Sequence, residues 1–277
     1  MNKTPVVQNF GLEITDVDVS ELTDDGLRDV LSDLAAFGLL LFRKQVLDDE
    51  ALYAFSLRIG ALEEPARKIV HSPDNSCVGY LTNLLRPEGT PLGFGGNSTD
   101  YWHSDQEYRQ NPATLATLYC LIAPRTGGTT SFASTLVRNL RLSHDVLSRL
   151  AGCRATYIAA ATHDNVDRIE VAHPALLSRA DSTQQSVYVS GNTVRFIGLP
   201  ATEGETLKAT VMASILSPEN IYAHHWRMGD LILYDNTQLL HRRDAFEGIR
   251  WLKATKIFAP AERFAVPRGL VRESASV

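Results

Sequence analysis

His103-Ser104-Asp105 and, far downstream, His241 are residues with which this chain could hold a metal ion. On an extended strand, residues i and i+2 share a face, so a histidine and an aspartate two apart can reach one ion. An HxD triplet alone is a common chance match, and a lone histidine more often packs or faces solvent. Two histidines and one carboxylate on one side of an ion leave its other positions open, which is the arrangement of non-heme iron(II) oxygenases. Zinc accepts the same set. Arg250 follows His241 by nine positions. Its guanidinium fork could pair bidentately with the far end of a dicarboxylate co-substrate whose near end chelates the metal. Taken alone, a strand arginine is more often a surface salt bridge. His224 and His225 are adjacent, so on a strand they face opposite ways and cannot easily share one ion.

The elements that must position these groups are read from periodicity. Gly11 to Asp18 alternates as a strand. Thr23 to Phe37 carries Leu27, Val30, Leu31 and Leu34 at helical spacing, with a polar cap at Thr23 and a stop at Gly38. Leu39 to Phe42 is a short buried strand, and Asp48 to Ile59 a helix closed by Gly60. Arg86 to Thr99 is rich in Gly, Pro, Asn and Thr and leads straight into Tyr101-Trp102-His103. Long loops in compact domains are usually functional or disordered, so residues 86–99 read as a flap beside a site. Leu115 to Leu121 is a strand, Gly127-Gly128 a turn, Thr130 to Phe132 the start of a strand, and Leu136 to Leu150 mainly helical. Ser186 to Val189, Val194 to Ile197, Asp230 to Tyr234 and Trp251 to Phe258 are strands, with a helix over Thr202 to Leu216. Strands around a core with helices outside suggest a mainly β sandwich with decorating helices.

The 277 residues read as one domain with a flexible tail over 265–277. A net charge of −5 offers no global attraction to nucleic acid or anionic membrane. No apolar run approaches the roughly 20 residues of a membrane span, and Met1 to Phe10 lacks the apolar core of a secretory signal. Cys77, Cys120 and Cys153 form no CxxC pair and read as free thiols of a reducing cytoplasm.

Trp102-His103-Ser104-Asp105, then Gly127-Gly128-Thr129-Thr130, then His224 to His241, then Arg250 follow the order and approximate spacing of the TauD/TfdA family. The resemblance runs from about Gly11 to about Phe258. It implies a double-stranded β-helix, a cupin-like jelly roll. It also implies Fe(II) on His103, Asp105 and His241, with 2-oxoglutarate and O2 as co-substrates. Arg250 matches the arginine for the distal carboxylate of 2-oxoglutarate, and Thr130 the threonine whose hydroxyl assists it. Family habit implies a homodimer or homotetramer and a small-molecule substrate. His173-Pro174 and Trp226-Arg227-x-Gly229-Asp230 also match, as turn-and-strand structure.

Sulfonate-cleaving members carry a second arginine where this chain has Ala254, so a taurine-like anion would lack its partner. Lys68, His71, Arg86 and Lys256 are the other cations to weigh, each more commonly an ordinary surface group. Asp105 stands where related halogenases have a small residue, which argues against halogenation. A weaker resemblance, over Gly127 to Thr135 and Tyr222 to Phe246, is to the PvcB branch that modifies amino-acid-derived isonitriles. The expected reaction is hydroxylation or desaturation of an unactivated C–H in a small amino-acid-derived natural-product intermediate, releasing succinate and CO2. The alternatives are cleavage of a sulfonate or aryloxy acid and, from other classes, a zinc hydrolase or a non-catalytic binding protein. Substrate contacts are expected from His71, Arg86, Phe94, Tyr101 and Tyr108.

Overall fold

The computed structural model describes residues 1–64, 70–96, 99–158, 169–180 and 183–272. Lys68 lies outside them. Leu39–Phe42 has no polar residue to turn outward because both its faces are covered. Leu39 and Leu41 join an inner cluster with Leu118, Phe132, Ile232 and Tyr234. Leu40 and Phe42 join an outer cluster with Leu34, Leu52, Tyr119 and Ile257. Each fully buried side chain of this kind contributes roughly 1.5–3 kcal/mol.

The larger sheet runs in the order Asn2–Pro5, Leu12–Thr15, Leu39–Phe42, Leu231–Asp235, Leu115–Ile122, Trp251–Phe258, Ala61–Leu62, with Gly79–Thr82 also paired to Trp251–Phe258. One pair in it is parallel, Leu12–Thr15 with Leu39–Phe42. A parallel pair needs a long crossover, and the helix Asp24–Phe37 supplies it. Thr23 caps that helix by accepting from the Gly26 N–H at 3.1 Å. Gly38, at φ 76°, closes it by donating to the Leu34 carbonyl.

The second sheet has the order Ile221–His224, Thr130–Ser134, Leu239–Arg243, Thr99–His103. Phe132 and Leu239 turn inward to meet the first sheet. Ala133 and Leu240 turn outward to a third cluster under the helices His144–Ala151 and Ala201–Ile215. Two facing sheets with helices outside form a mainly β jelly roll, as expected.

Several elements differ from expectation. Leu136 to Leu150 is not one helix. A short 3-10 turn, Val137–Asn139, is followed by extended backbone at Leu140, and the Ser143 hydroxyl then caps His144–Ala151. The strand read over Val194 to Ile197 contracts to Phe196–Ile197. The expected tail over 265–277 is structured where it is described: Ala265 is buried and Leu270–Arg272 pairs with Glu170–Pro174. Of the expected flap, Phe94 zips onto the Gly79–Thr82 strand through Tyr80 and Thr82, and Thr99 already belongs to a strand. Residues 97–98 and 273–277 lie outside the described residues. Among the described residues, no helix is long and apolar enough to cross a membrane.

Candidate metal centre

His103 is the last residue of Thr99–His103 and pairs directly with His241 on the neighbouring antiparallel strand. Directly opposed residues point to the same face, and the two rings lie 4.3 Å apart between centroids. The strand then stops. Asp105 is not on it, contrary to the expectation that the whole HxD triplet shares one pleat. Asn236 aims it instead: its amide oxygen accepts from the Asp105 N–H at 2.7 Å, and its amide nitrogen donates to the Asp105 carbonyl at 2.9 Å. Gln106, at φ 60°, completes the bend. One ligand atom from each of His103, Asp105 and His241 then lies within 4.8 Å of the others. His241 Nε2 is 3.7 Å from Asp105 Oδ2.

The charges suit a cation. Burial first, then the neighbouring His103, pulls His241 down to about 3, so its imidazole is neutral and carries a free lone pair. His103 Nδ1 faces the Tyr101 carbonyl at 3.1 Å, which assigns the proton to that nitrogen and leaves the Nε2 lone pair available to a metal. Burial alone would raise Asp105. The Lys256 ammonium beside it reverses this and holds the carboxyl well below its usual range. Neutral imidazoles and an ionised carboxylate are the forms that bind a divalent ion, so the donor set fits Fe(II).

Two further groups converge on Asp105 Oδ2. The Tyr234 hydroxyl donates to it at 2.5 Å, and the Lys256 ammonium forms both an ion pair and a hydrogen bond with it. Lys256 is therefore not the ordinary surface group its type suggests. Tyr234 lies inside the His224 to His241 stretch without being singled out by it, and Lys256 was weighed only as one of several cations.

Arg250 sits immediately before the strand Trp251–Phe258, its backbone N–H donating to the Asn83 side chain at 3.0 Å. It is 3% exposed, and its Nε has no hydrogen-bond partner among the described residues. Burial, with Arg243 pushing the same way, lowers its guanidinium to about 9. Such a group favours an anion beside it. Thr130 begins the strand Thr130–Ser134, and its Oγ1 accepts from the Trp226 indole N–H at 2.9 Å. The threonine proton is thereby left to donate elsewhere. Gly127, at φ 70°, cannot carry a side chain, since a Cβ would sit 2.2 Å from the Ala245 carbonyl oxygen. That close turn pairs Gly127 with Phe246, and the Arg250 stem runs beside Gly128.

The remaining expected residues are dispersed. Tyr101 is half exposed, its ring 4.9 Å from that of His103. Arg86 donates to the Pro91 carbonyl of its own loop, His71 bridges Gly79, Phe94 is zipped to Tyr80, and Tyr108 is exposed in the turn after Asp105. Arg243, two residues after His241, bonds the Gly96 carbonyl at 2.8 Å and so ties the 86–99 segment to the strand of the site. His224 and His225 diverge as expected, toward Asp230 and Thr129 respectively. A cavity of about 720 Å³ elsewhere is lined by Ala35, Ala36, Arg138 and Arg179. There Arg138 and Arg179 donate to the Ala36 and Ala35 carbonyls, capping the end of Asp24–Phe37.

Residues 2–255 match the family described as taurine catabolism dioxygenase TauD, TfdA family. The alpha-ketoglutarate-dependent 2,4-dichlorophenoxyacetate dioxygenase of Cupriavidus pinatubonensis is 27% identical over 86% of this chain and 90% of its own. A weaker likeness is to the tyrosine isonitrile desaturase of Pseudomonas aeruginosa, 25% identical over 61% of this chain and 62% of that one. In structure, a taurine dioxygenase from Burkholderia xenovorans superposes with a TM-score of 0.78 at 21% identity, covering 96% of this chain and 95% of its own. The chain belongs to the TauD/TfdA family of Fe(II)- and 2-oxoglutarate-dependent dioxygenases.

Proposed function

We propose that His103, Asp105 and His241 hold the iron and that Arg250 and Thr130 hold the far carboxylate of 2-oxoglutarate. We further propose that the enzyme hydroxylates or desaturates an unactivated C–H of a small amino-acid-derived compound. The observation that carries the co-substrate assignment is the buried Arg250, whose Nε has no partner among the described residues. A zinc hydrolase on this fold would have no use for that cation. Bound iron supplies oxygen activation coupled to decarboxylation of 2-oxoglutarate, giving succinate and carbon dioxide. The chain supplies placement. Arg250 and Thr130 orient the co-substrate, Trp226 sets the Thr130 hydroxyl, and Tyr101 lines the entrance beside His103. Residues 86–96, tied to Arg243 through the Gly96 carbonyl, shield the entrance from water. The weaker likeness to tyrosine isonitrile desaturase supports the amino-acid-derived substrate.

The longer likeness to a 2,4-dichlorophenoxyacetate dioxygenase supports a second reading, an aryloxy carboxylic acid. Ala254 weighs against a sulfonate in either case.

The test is anaerobic titration of the apoprotein with Fe(II) and then 2-oxoglutarate. A weak visible charge-transfer band that needs both, and is lost in Arg250→Ala at matched concentrations, is the expected result. No band, with tight zinc binding instead, overturns the reading.

A further inference from the structure

Strand alternation decides where Lys256 points. Leu252 and Ala254 of the same strand belong to the inner cluster, and Lys256 is the next residue of that parity. Its cross-strand partner Ala116 is also an inner residue. The ammonium therefore enters the jelly roll beside the small Ala254 side chain. It lies 5.9 Å from the centroid of the Tyr234 ring and bonds Asp105 Oδ2. The side chain keeps 21% exposure, so it is reachable from solvent.

Asp105 Oδ2 has two donors of different kinds. The Tyr234 hydroxyl is neutral and remains compatible with a metal on that carboxylate. The Lys256 ammonium carries the same sign of charge as the metal and competes with it for the oxygen. An ammonium on a flexible four-carbon stem can turn away, but a half-buried charge then needs a new counter-charge. The Arg250 end of the site cannot provide one. It is itself cationic, and under the proposed function its anion is the far carboxylate of 2-oxoglutarate. Among the described residues Lys256 pairs with no acid besides Asp105, and the nearby Glu63 is already held by Arg109 and Gln106, so an acid brought by the substrate would supply the counter-charge.

We propose that Lys256 is the anchor for a carboxylate of the substrate, an ammonium that yields Asp105 to the metal and pairs with the incoming acid instead. This deepens the function proposed above and rests on it. It gives both readings of the substrate, the amino-acid-derived compound and the aryloxy acid, the same requirement: a free carboxylate. It also assigns the substrate cation to a strand position two residues beyond the one that Ala254 occupies.

The test uses the full chain with Lys256→Met, which keeps the length of the stem without the charge, and with Lys256→Arg, which keeps the charge. Mn(II) affinity is read by electron paramagnetic resonance without co-substrate. It is expected to rise about tenfold in Lys256→Met, because the competitor is gone, and to stay near wild type in Lys256→Arg. Unchanged or weaker Mn(II) binding in Lys256→Met overturns the competition.

The anion is tested anaerobically in protein loaded with Fe(II) and 2-oxoglutarate. The probes are 2,4-dichlorophenoxyacetate and N-acetyltyrosine, each against its neutral amide. At least one acid is expected to bind tenfold or more tighter than its amide, with the preference lost in Lys256→Met and kept in Lys256→Arg. No preference in the wild type, including binding of neither acid, or a preference that survives in Lys256→Met, overturns the anchor. If the wild type shows no charge-transfer band at all, the proposed function fails. A band without a carboxylate preference sinks only this inference.

Discussion

At one end of the inner face, Asp105 takes donors from the chain itself, the Tyr234 hydroxyl and the Lys256 ammonium. At the other end, Arg250 is more enclosed, its Nε is unpartnered among the described residues and burial pulls its guanidinium down to about 9. The first end is provided with charge and binds by exchange: something already in place must give way. The second is short of charge and binds by completion, since an anion there relieves a desolvated cation. Affinity at the first end is therefore a difference between two competitors. At the second it reports directly on the missing partner.

The bluntest way to break the comparison is to remove a ligand. His103→Ala is expected to abolish both the Fe(II)-dependent band and turnover, and full activity in that variant would mean the centre is elsewhere. Arg250→Ala should weaken 2-oxoglutarate by about 2 kcal/mol or more, near thirtyfold, with Mn(II) affinity unchanged; equilibrium titration of each reads the split. Tyr234→Phe does the converse. It removes the neutral donor that orients Asp105, so Mn(II) should bind about 10–100-fold more weakly while the response to 2-oxoglutarate at saturating metal persists.

Beneath the Asp105 turn, His173 Nε2 meets the Arg109 carbonyl at 3.0 Å, and burial lowers this histidine to about 4. A depressed histidine gives its stabilisation in full above its ordinary value near 6.5 and loses it as pH falls through about 4. Urea melts between pH 7 and 4 should show that loss, at most about 1.4 kcal/mol per pH unit, and His173→Gln should flatten it. The smallest effect is expected from Trp226→Phe. It leaves the Thr130 hydroxyl free to rotate and should cost about 1 kcal/mol of 2-oxoglutarate affinity without touching the metal.

Elements whose pattern is local were readable in advance. Leu39–Phe42, an apolar run, and Trp251–Phe258, an alternating segment, have the bounds that their patterns indicate. Asp24–Phe37 begins at the Thr23 cap and ends at Gly38, because capping is settled by neighbours within one turn. The mainly helical reading of Leu136 to Leu150 holds, but the break inside it was missed for the same local reason. Ser143 favours a new cap over a continued helix, and helical spacing of the surrounding leucines does not register that competition.

The candidate residue types, and their order along the chain, were legible because metal and dicarboxylate chemistry admits few side chains: His103, Asp105, His241 and Arg250 could be picked out from the primary structure, and Thr130 through the family resemblance alone. Their convergence was not. It needs His241 paired across from His103, and Asn236 bending Asp105 off the strand. Lys256 marks the boundary most clearly. Alternation along Trp251–Phe258 puts it on one face with Leu252 and Ala254, but which face looks inward is settled only when the second sheet closes over the first. A lysine has the same identity on either side. Burial beside Asp105 is what makes it part of the site, and burial is a property of the packed sheets.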